Sequence, residues 1–152
     1  MKHLFYAGCL LLSMISFAAC NKKNDPAPPP VVVGTWELNG ARLSGFVAPN
    51  QDYNTFGLDL YLLNGQASKL YVQSDKTFIE NLKDNGRIFD LPGTWDYTEP
   101  TLNLKYNNGT TDTYSYSVNA GIPELATAPT SITLPGSNST VAAGQIRFVY
   151  RK

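Results

Sequence analysis

Residues 83–97, KDNGRIFDLPGTWDY, contain two short signals that each recur along the chain. The Asn-Gly pair at 85–86 lies between two alternating runs, and both of its residues tolerate the positive φ angles that a type I′ hairpin turn requires. The Gly-Thr-Trp sequence at 93–95 repeats the one at 34–36. The stretch therefore predicts a tight hairpin followed by a strand that carries a core tryptophan.

Asn-Gly pairs also occur at 39–40, 64–65 and 108–109. The pairs at 64–65, 85–86 and 108–109 each separate two alternating runs, which predicts three consecutive antiparallel hairpins. The predicted strands flanking these three pairs are residues 56–63 and 66–74, 77–82 and 87–91, and 101–106 and 110–118. At 39–40 the apolar alternation instead shifts by one residue, which predicts a β-bulge that bends the first strand.

Each predicted strand has one polar and one apolar face, as in Leu102, Leu104 and Tyr106 against Thr101 and Asn103. A sheet of this kind must bury its apolar face, either by closing on itself or by packing on a second sheet. Proline-containing stretches at 48–53, 120–130 and 135–143 are predicted to be loops. We predict an all-β fold, an antiparallel up-and-down β-barrel of about eight strands.

The first 20 residues, MKHLFYAGCLLLSMISFAAC, have a basic start, an apolar run and two small residues before Cys20. This pattern indicates an export signal over residues 1–19. The ending at 17–20, Phe-Ala-Ala-Cys, resembles the lipobox of bacterial lipoproteins, in which the cysteine is lipidated. An uncleaved signal anchor and ordinary cleavage without lipid are the alternatives. The resemblance implies a cell-envelope protein attached to a membrane through Cys20, at the outer membrane of a Gram-negative bacterium.

Residues 20–30 follow as the lipidated cysteine and a proline-rich tether with no capacity to form a core. If extended, the ten residues 21–30 span roughly 30 Å. The folded domain is then residues 31–152.

Composition excludes several classes of function. The 152 residues carry zero formal net charge, without the basic excess that nucleic-acid binding requires. The only histidine, His3, and Cys9 lie within the predicted signal, and Cys20 is expected to carry lipid. Histidine- or cysteine-dependent catalysis and the usual zinc, copper and haem ligand sets are therefore not expected, nor is any cofactor.

The two Gly-Thr-Trp sequences, the meander of short strands, the lipobox and the tether together resemble the lipocalin-like domain of bacterial envelope lipoproteins. In lipocalins a Gly-x-Trp motif on the first strand closes one end of the barrel, and the tryptophan packs under an arginine of the last strand. Gly34 and Trp36 match that motif, and the resemblance implies Arg147 or Arg151 as the arginine. Gly93 and Trp95 repeat the motif on a middle strand, with a core role or a ligand contact as the two interpretations.

The hairpin at 85–86 predicts that Glu80 and Arg87 point inward, because they share a face with four large apolar residues. A buried charge must be paired or hydrogen-bonded. One interpretation is a polar patch in a ligand cavity. The other is that Arg87 lies in solvent near the turn while a tyrosine hydroxyl or water satisfies Glu80.

A set of inward-facing aromatic residues predicts either a pocket for a small hydrophobic or amphipathic ligand or a barrel filled by its own side chains. The candidate ligand-binding residues are Glu80, Arg87, Trp95, Tyr97, Tyr106, Tyr114, Tyr116 and Phe148.

Three functional hypotheses follow. The first is a binding module for a small amphipathic molecule. The second is a non-catalytic accessory with a filled core, which contacts an envelope partner through apolar residues near Val47, Tyr53 and Ile122. The third is a carboxylate enzyme, for which Asp96 and Glu99 are the nearest acidic pair. Because Asp96 is predicted to lie on the solvent face, we expect the protein not to be an enzyme.

Overall fold

The computed structural model describes residue 27, residues 29–136 and residues 140–152. The predicted signal and Cys20 lie outside the described residues. The described part is all-β apart from two single-turn helices, a 3₁₀-helix at Gln51–Thr55 and α1 at Leu60–Asn64. Neither of these helices has the length and apolar character needed to cross a membrane. The strands are β1 (Gly34–Ser44), β2 (Gly57–Leu58), β3 (Ala67–Val72), β4 (Thr77–Asp84), β5 (Arg87–Thr98), β6 (Thr101–Tyr106), β7 (Thr111–Asn119), β8 (Ile122–Thr127), β9 (Thr130–Pro135) and β10 (Val141–Arg151).

Eight of these strands form a closed antiparallel up-and-down barrel, which confirms the predicted fold class. Their order around the barrel is β1-β3-β4-β5-β6-β7-β8-β10, and β10 pairs with β1 to close it. The short strand β2 adds to β1, and β9 pairs with the first half of β10.

The first strand closes the barrel by pairing on both sides. Residues 34–37 of β1 pair with β3, whereas residues 37–44 pair with β10. The β1–β10 register shifts between Leu38 and Gly40, which confirms the predicted bulge. A side chain at Gly40 would collide with the backbone at Leu58, so the glycine also admits β2.

Two of the three predicted Asn-Gly hairpins are present. At 85–86 both residues have positive φ angles, 48° and 76°, as a type I′ turn requires. The pair at 108–109 also connects two paired strands, β6 and β7, although of the two residues only Gly109 has a positive φ angle.

The predicted hairpin at 64–65 is wrong, because a helix ends there. Asp59 accepts a hydrogen bond from the backbone N–H of Leu62 and so caps α1. Gly65 is left-handed, and its N–H returns to the last turn of the helix. Asn-Gly suits a helix end as well as a hairpin, and three of residues 60–64 are leucines, which are good helix formers.

The predicted loop at 120–130 is also largely wrong, because residues 122–127 form β8. Ala120 and Gly121 both have positive φ angles and make a tight turn between β7 and β8. The predicted loop at 135–143 is shorter than expected, because β9 reaches Pro135 and β10 begins at Val141. Proline is tolerated at 123 and 135 because each residue has a paired strand on one side only, β7 for Pro123 and β10 for Pro135.

The barrel has a filled end and an open end. The filled end lies where β1 begins, and both tryptophans are buried there. Trp36 donates its indole N–H to the backbone oxygen of Val32, and Trp95 donates to that of Gln73. A lysine lies over each ring, Lys152 at 4.9 Å from Trp36 and another, from the β3–β4 turn, at 4.1 Å from Trp95. Both Gly-Thr-Trp sequences thus serve the core.

The arginine expected over Trp36 is replaced by Lys152, and this corrects the roles implied for Arg147 and Arg151. Lys152 also donates to two backbone oxygens of the segment before β1, at 2.6 and 2.8 Å. Arg151 lies on the outer face of the barrel, where it binds Glu124. Arg147 pairs in register with Arg42 and is exposed.

Candidate functional site

The open end of the barrel holds a cavity of about 560 Å³. Its floor is polar, its walls include three apolar side chains, and its rim is rich in threonine. The lining residues are Glu80, Leu82, Leu91, Tyr106, Asn108, Thr110, Thr111, Asp112, Thr113, Tyr114, Thr127, Ala128, Thr130, Phe148 and Tyr150. The interior is therefore filled at one end and hollow at the other.

Glu80 lies on the cavity floor and is 6% exposed. It points inward because it alternates with Phe78 on β4, as its sequence position predicts. One carboxylate oxygen accepts the hydroxyl of Ser68 at 2.6 Å and lies 3.3 Å from that of Tyr150. The other oxygen lies 2.6 Å from the hydroxyl of Tyr106. Hydroxyl groups rather than a cation therefore compensate the burial of this carboxylate.

Asp112 brings a second carboxylate to the same point. On β7 it pairs with Leu104, whose side chain fills the core, and one carboxylate oxygen lies 2.9 Å from the hydroxyl oxygen of Tyr106. A phenol has a single proton to donate. Tyr106 therefore contacts two carboxylates but can donate a hydrogen bond to only one of them.

The three tyrosine hydroxyls at the floor are neutral donors. Burial, followed by the hydrogen bond to Glu80, raises the pKa of Tyr106 far above its ordinary value. Burial likewise raises the pKa of Tyr114 and that of Tyr150, and negative charge at Glu80 adds to the effect at Tyr150. Each hydroxyl keeps its proton throughout the physiological pH range.

The cavity is negatively polarised. Its lining has two carboxylates and, among the residues that the structure describes, no lysine or arginine. The ion pairs found in this part of the chain use Glu37, Asp96 and Glu124, and none uses Glu80 or Asp112. Among the described residues, Glu80 and Asp112 therefore have no cationic side chain as an ion-pair partner.

Four of the predicted ligand-binding residues line the cavity, namely Glu80, Tyr106, Tyr114 and Phe148. Three aromatic candidates, Trp95, Tyr97 and Tyr116, do not line the cavity: Trp95 is a core residue, and the two tyrosines are partly buried and pack against the core. These three assignments are corrected because alternation predicts which face a side chain occupies but not its height in the barrel.

Arg87 is also corrected, because it is exposed beside the hairpin turn and is not part of the lining. The β4–β5 hairpin extends beyond the rim, so residues next to its turn contact solvent. The arrangement matches the second interpretation of the hairpin, with Arg87 in solvent and Glu80 satisfied by tyrosine hydroxyls.

Sequence reasoning missed Asp112 and Ser68 as site residues. Asp112 lies two positions before Tyr114 and therefore points inward with it. Ser68 lies two positions before the core residue Leu70 and points inward for the same reason. Extending each alternation by one step would have found both. Both residues lie inside predicted strands, 66–74 and 110–118, but neither was named as a candidate.

The acidic residues that motivated the enzyme hypothesis do not meet in the cavity. Asp96 is exposed on the outer face, 3.4 Å from Lys76, and Glu99 lies in the turn between β5 and β6. Glu80 and Asp112 do converge, but the oxygen of Tyr106 lies between them. Within the described ranges, no group of three or more metal-ligating side chains is present.

Comparisons of this chain with family models, curated proteins and solved structures yield no match.

Proposed function

We propose that this protein is a lipocalin-like lipoprotein of the bacterial cell envelope, anchored through Cys20, that binds a small amphipathic molecule and is not an enzyme. The observation that carries the proposal is the cavity at the open end. Its volume of about 560 Å³ falls in the range of roughly 300–1,000 Å³ that small-molecule sites occupy. Apolar walls with a few converging polar groups are the usual composition of such sites.

The position of the cavity suits an anchored carrier. Residues 30–33 enter the barrel at the filled end, where Trp36 is covered, and the cavity opens at the other end. A tether running from Cys20 to residue 30 would therefore attach at the filled end. The mouth would face away from the point of attachment and remain accessible to ligand.

A second candidate function is that of an accessory protein that binds an envelope partner. The observation that favours it is an exposed apolar run on α1, where Tyr61, Leu62 and Leu63 are 56%, 81% and 65% exposed. Of the residues expected on such a surface, Val47 and Ile122 are exposed, whereas Tyr53 packs between two phenylalanines. The filled core expected for this function is present at one end of the barrel only.

Native mass spectrometry of the protein purified from its own envelope tests the carrier proposal. We expect a co-purifying small molecule that is released on denaturation. Leu91→Trp should abolish it by filling the cavity, whereas Ile88→Trp, which adds the same ring to an exposed position of β5, should retain it.

A ligand retained equally by both variants would contradict binding in this cavity. No ligand, together with no thermal shift from cationic, neutral or anionic amphiphiles, would contradict a carrier function. A partner that is captured by the wild type and lost in a Leu62→Ser, Leu63→Ser variant would then favour the accessory function.

A further inference from the structure

We infer that the cavity selects ligands with a positively charged, hydrogen-bond-donating head group, such as a primary amine, attached to a short apolar tail. This inference rests on the proposed function and adds the chemical class of the ligand. It follows from the charge of the lining, the proton count at Tyr106 and the spacing of the two carboxylates.

The charge of the lining sets the preferred sign of the ligand. Glu80 and Asp112 face the cavity, and no lysine or arginine lines it among the described residues. An anionic head group such as a fatty-acid carboxylate would be desolvated beside two like charges, which is unfavourable. A cation at the same place gains attraction from both carboxylates and from the neighbouring tyrosine rings.

The single proton of the Tyr106 hydroxyl leaves a place for one more donor beside the two carboxylates. Its hydroxyl oxygen lies 2.6 Å from Glu80 and 2.9 Å from Asp112, and its one proton serves only one of them. Ser68 already gives its proton to Glu80. Because Asp112 is exposed, water can supply the remaining donor in the free protein, and an ammonium group with three donors can take the place of that water.

The spacing of the carboxylates allows one ammonium group to reach both. The two oxygens that contact Tyr106 are at most 5.5 Å apart, the total of their distances to the shared hydroxyl. The Tyr106 hydroxyl oxygen lies between them, so an ammonium nitrogen would approach from the open side of the cavity, where it can donate to these oxygens at about 2.7–2.9 Å, the usual length of a charge-assisted hydrogen bond. Leu82, Leu91 and Phe148 then provide apolar contact for the tail.

Isothermal titration calorimetry of the full-length protein at pH 7 with octylamine, 1-octanol and octanoate tests the inference, because these probes share a tail and differ in head group. We expect octylamine to bind roughly 10- to 100-fold more tightly than 1-octanol, the ratio that a hydrogen bond to a charged group supplies. Octanoate should bind most weakly.

Asp112→Asn removes one charge from an exposed position and keeps the shape of the side chain. We expect it to weaken octylamine binding about tenfold and 1-octanol binding by a smaller factor, because a neutral hydroxyl loses no charge attraction. Asp96→Asn is the matched control, because Asp96 is also exposed but lies on the outer face of the barrel, and it should change neither affinity.

The outcomes separate this inference from the function on which it rests. If 1-octanol binds and octylamine binds no more tightly, the carrier proposal stands and the preference for amines is refuted. An octylamine affinity that is equal in wild type and Asp112→Asn also refutes it. If none of the three probes binds, the carrier function itself fails for ligands of this size.

Discussion

Replacing Gly93 with alanine tests whether the second Gly-Thr-Trp sequence needs a glycine so that two aromatic rings can pack directly against the backbone. Gly93 is buried and pairs with Phe78 on one side and with Tyr106 on the other. The two rings meet edge to face above it, with centroids 5.0 Å apart. A Cβ atom at Gly93 would collide with the backbone oxygen of Lys105 and lie 2.6 Å from the Phe78 ring.

The expected cost follows from these contacts. Overpacking a well-packed interior costs typically ~1–3 kcal/mol, and here the rigid backbone contact favours the upper part of that range. Alanine recovers ~0.4–1 kcal/mol by restricting the unfolded chain. We therefore expect Gly93→Ala to lower the free energy of unfolding by about 2 kcal/mol. For a domain of ~120 residues this corresponds to a fall in Tm of about 8 °C.

Urea unfolding followed by tryptophan fluorescence measures the effect, with Gly57→Ala as the matched control. Gly57 lies in β2, and a Cβ atom there would meet nothing within 4 Å. The control should therefore be as stable as the wild type or more stable by ~0.4–1 kcal/mol. Equal stability of the two variants would refute the packing argument. A Phe78→Leu background should reduce the penalty at Gly93, because it removes the ring but not the backbone contact.

Two further predictions concern charged residues outside the cavity. Burial opposes ionisation of Glu124, but hydrogen bonds and charges from Arg42 and Arg151 outweigh it and lower the pKa below its ordinary value of 4.5. A lowered folded-state pKa contributes stability that is present above pH 4.5 and is lost as the pH falls through the folded-state pKa. We therefore expect Glu124→Gln to lower the free energy of unfolding by about 1–3 kcal/mol at pH 7 and by less at pH 3, as measured by urea unfolding. A deficit that is equal at both pH values would contradict this. Lys152→Met should lower stability by about 1 kcal/mol, because it removes the cation over Trp36 and two hydrogen bonds, whereas thermal unfolding of Lys152→Arg should show a smaller loss.

The fold could be predicted from local signals because most of them act over a few residues. The positive φ angles at 85–86 require a tight turn, and the phase shift at Gly40 requires a bulge, whatever the rest of the chain does. The pair at 64–65 was ambiguous because Gly65 can close a helix as readily as a hairpin. The side chain of Asp59 favours the helix over the hairpin, because it caps the helix by accepting the N–H of Leu62, three residues later.

The residue over Trp36 could not be predicted from the sequence. Arg151 is one position from Lys152, and a one-residue step along a strand moves a side chain from one face to the other. Arg151 lies on the outer face, where Glu124 from β8 provides its partner. Because residues 120–130 were predicted to be a loop, no buried carboxylate was expected there.

The candidate site was only half predictable, because alternation gives the direction of a side chain while its height depends on its distance from a turn. Each strand residue advances the chain by about 3.3 Å, so the distance from an open-end turn measures depth in the barrel. Glu80 and Leu91 both lie five residues from the turn at 85–86 and line the cavity, whereas Trp95 lies nine residues away and belongs to the filled end.

The distance from a turn also explains which residues near the second open-end turn, at 108–109, line the cavity. Asp112 and Tyr114 lie three and five residues beyond Gly109 and line the cavity, whereas Tyr116 lies seven residues beyond it and packs against Trp36 at the filled end. Arg87, beside its own turn, projects past the rim into solvent. The residues that line the cavity are therefore those that point inward and lie a few positions from an open-end turn. In this chain those residues include Glu80 and Asp112, neither of which has an ion pair among the described residues, so the polar chemistry of the barrel interior lies at its open end.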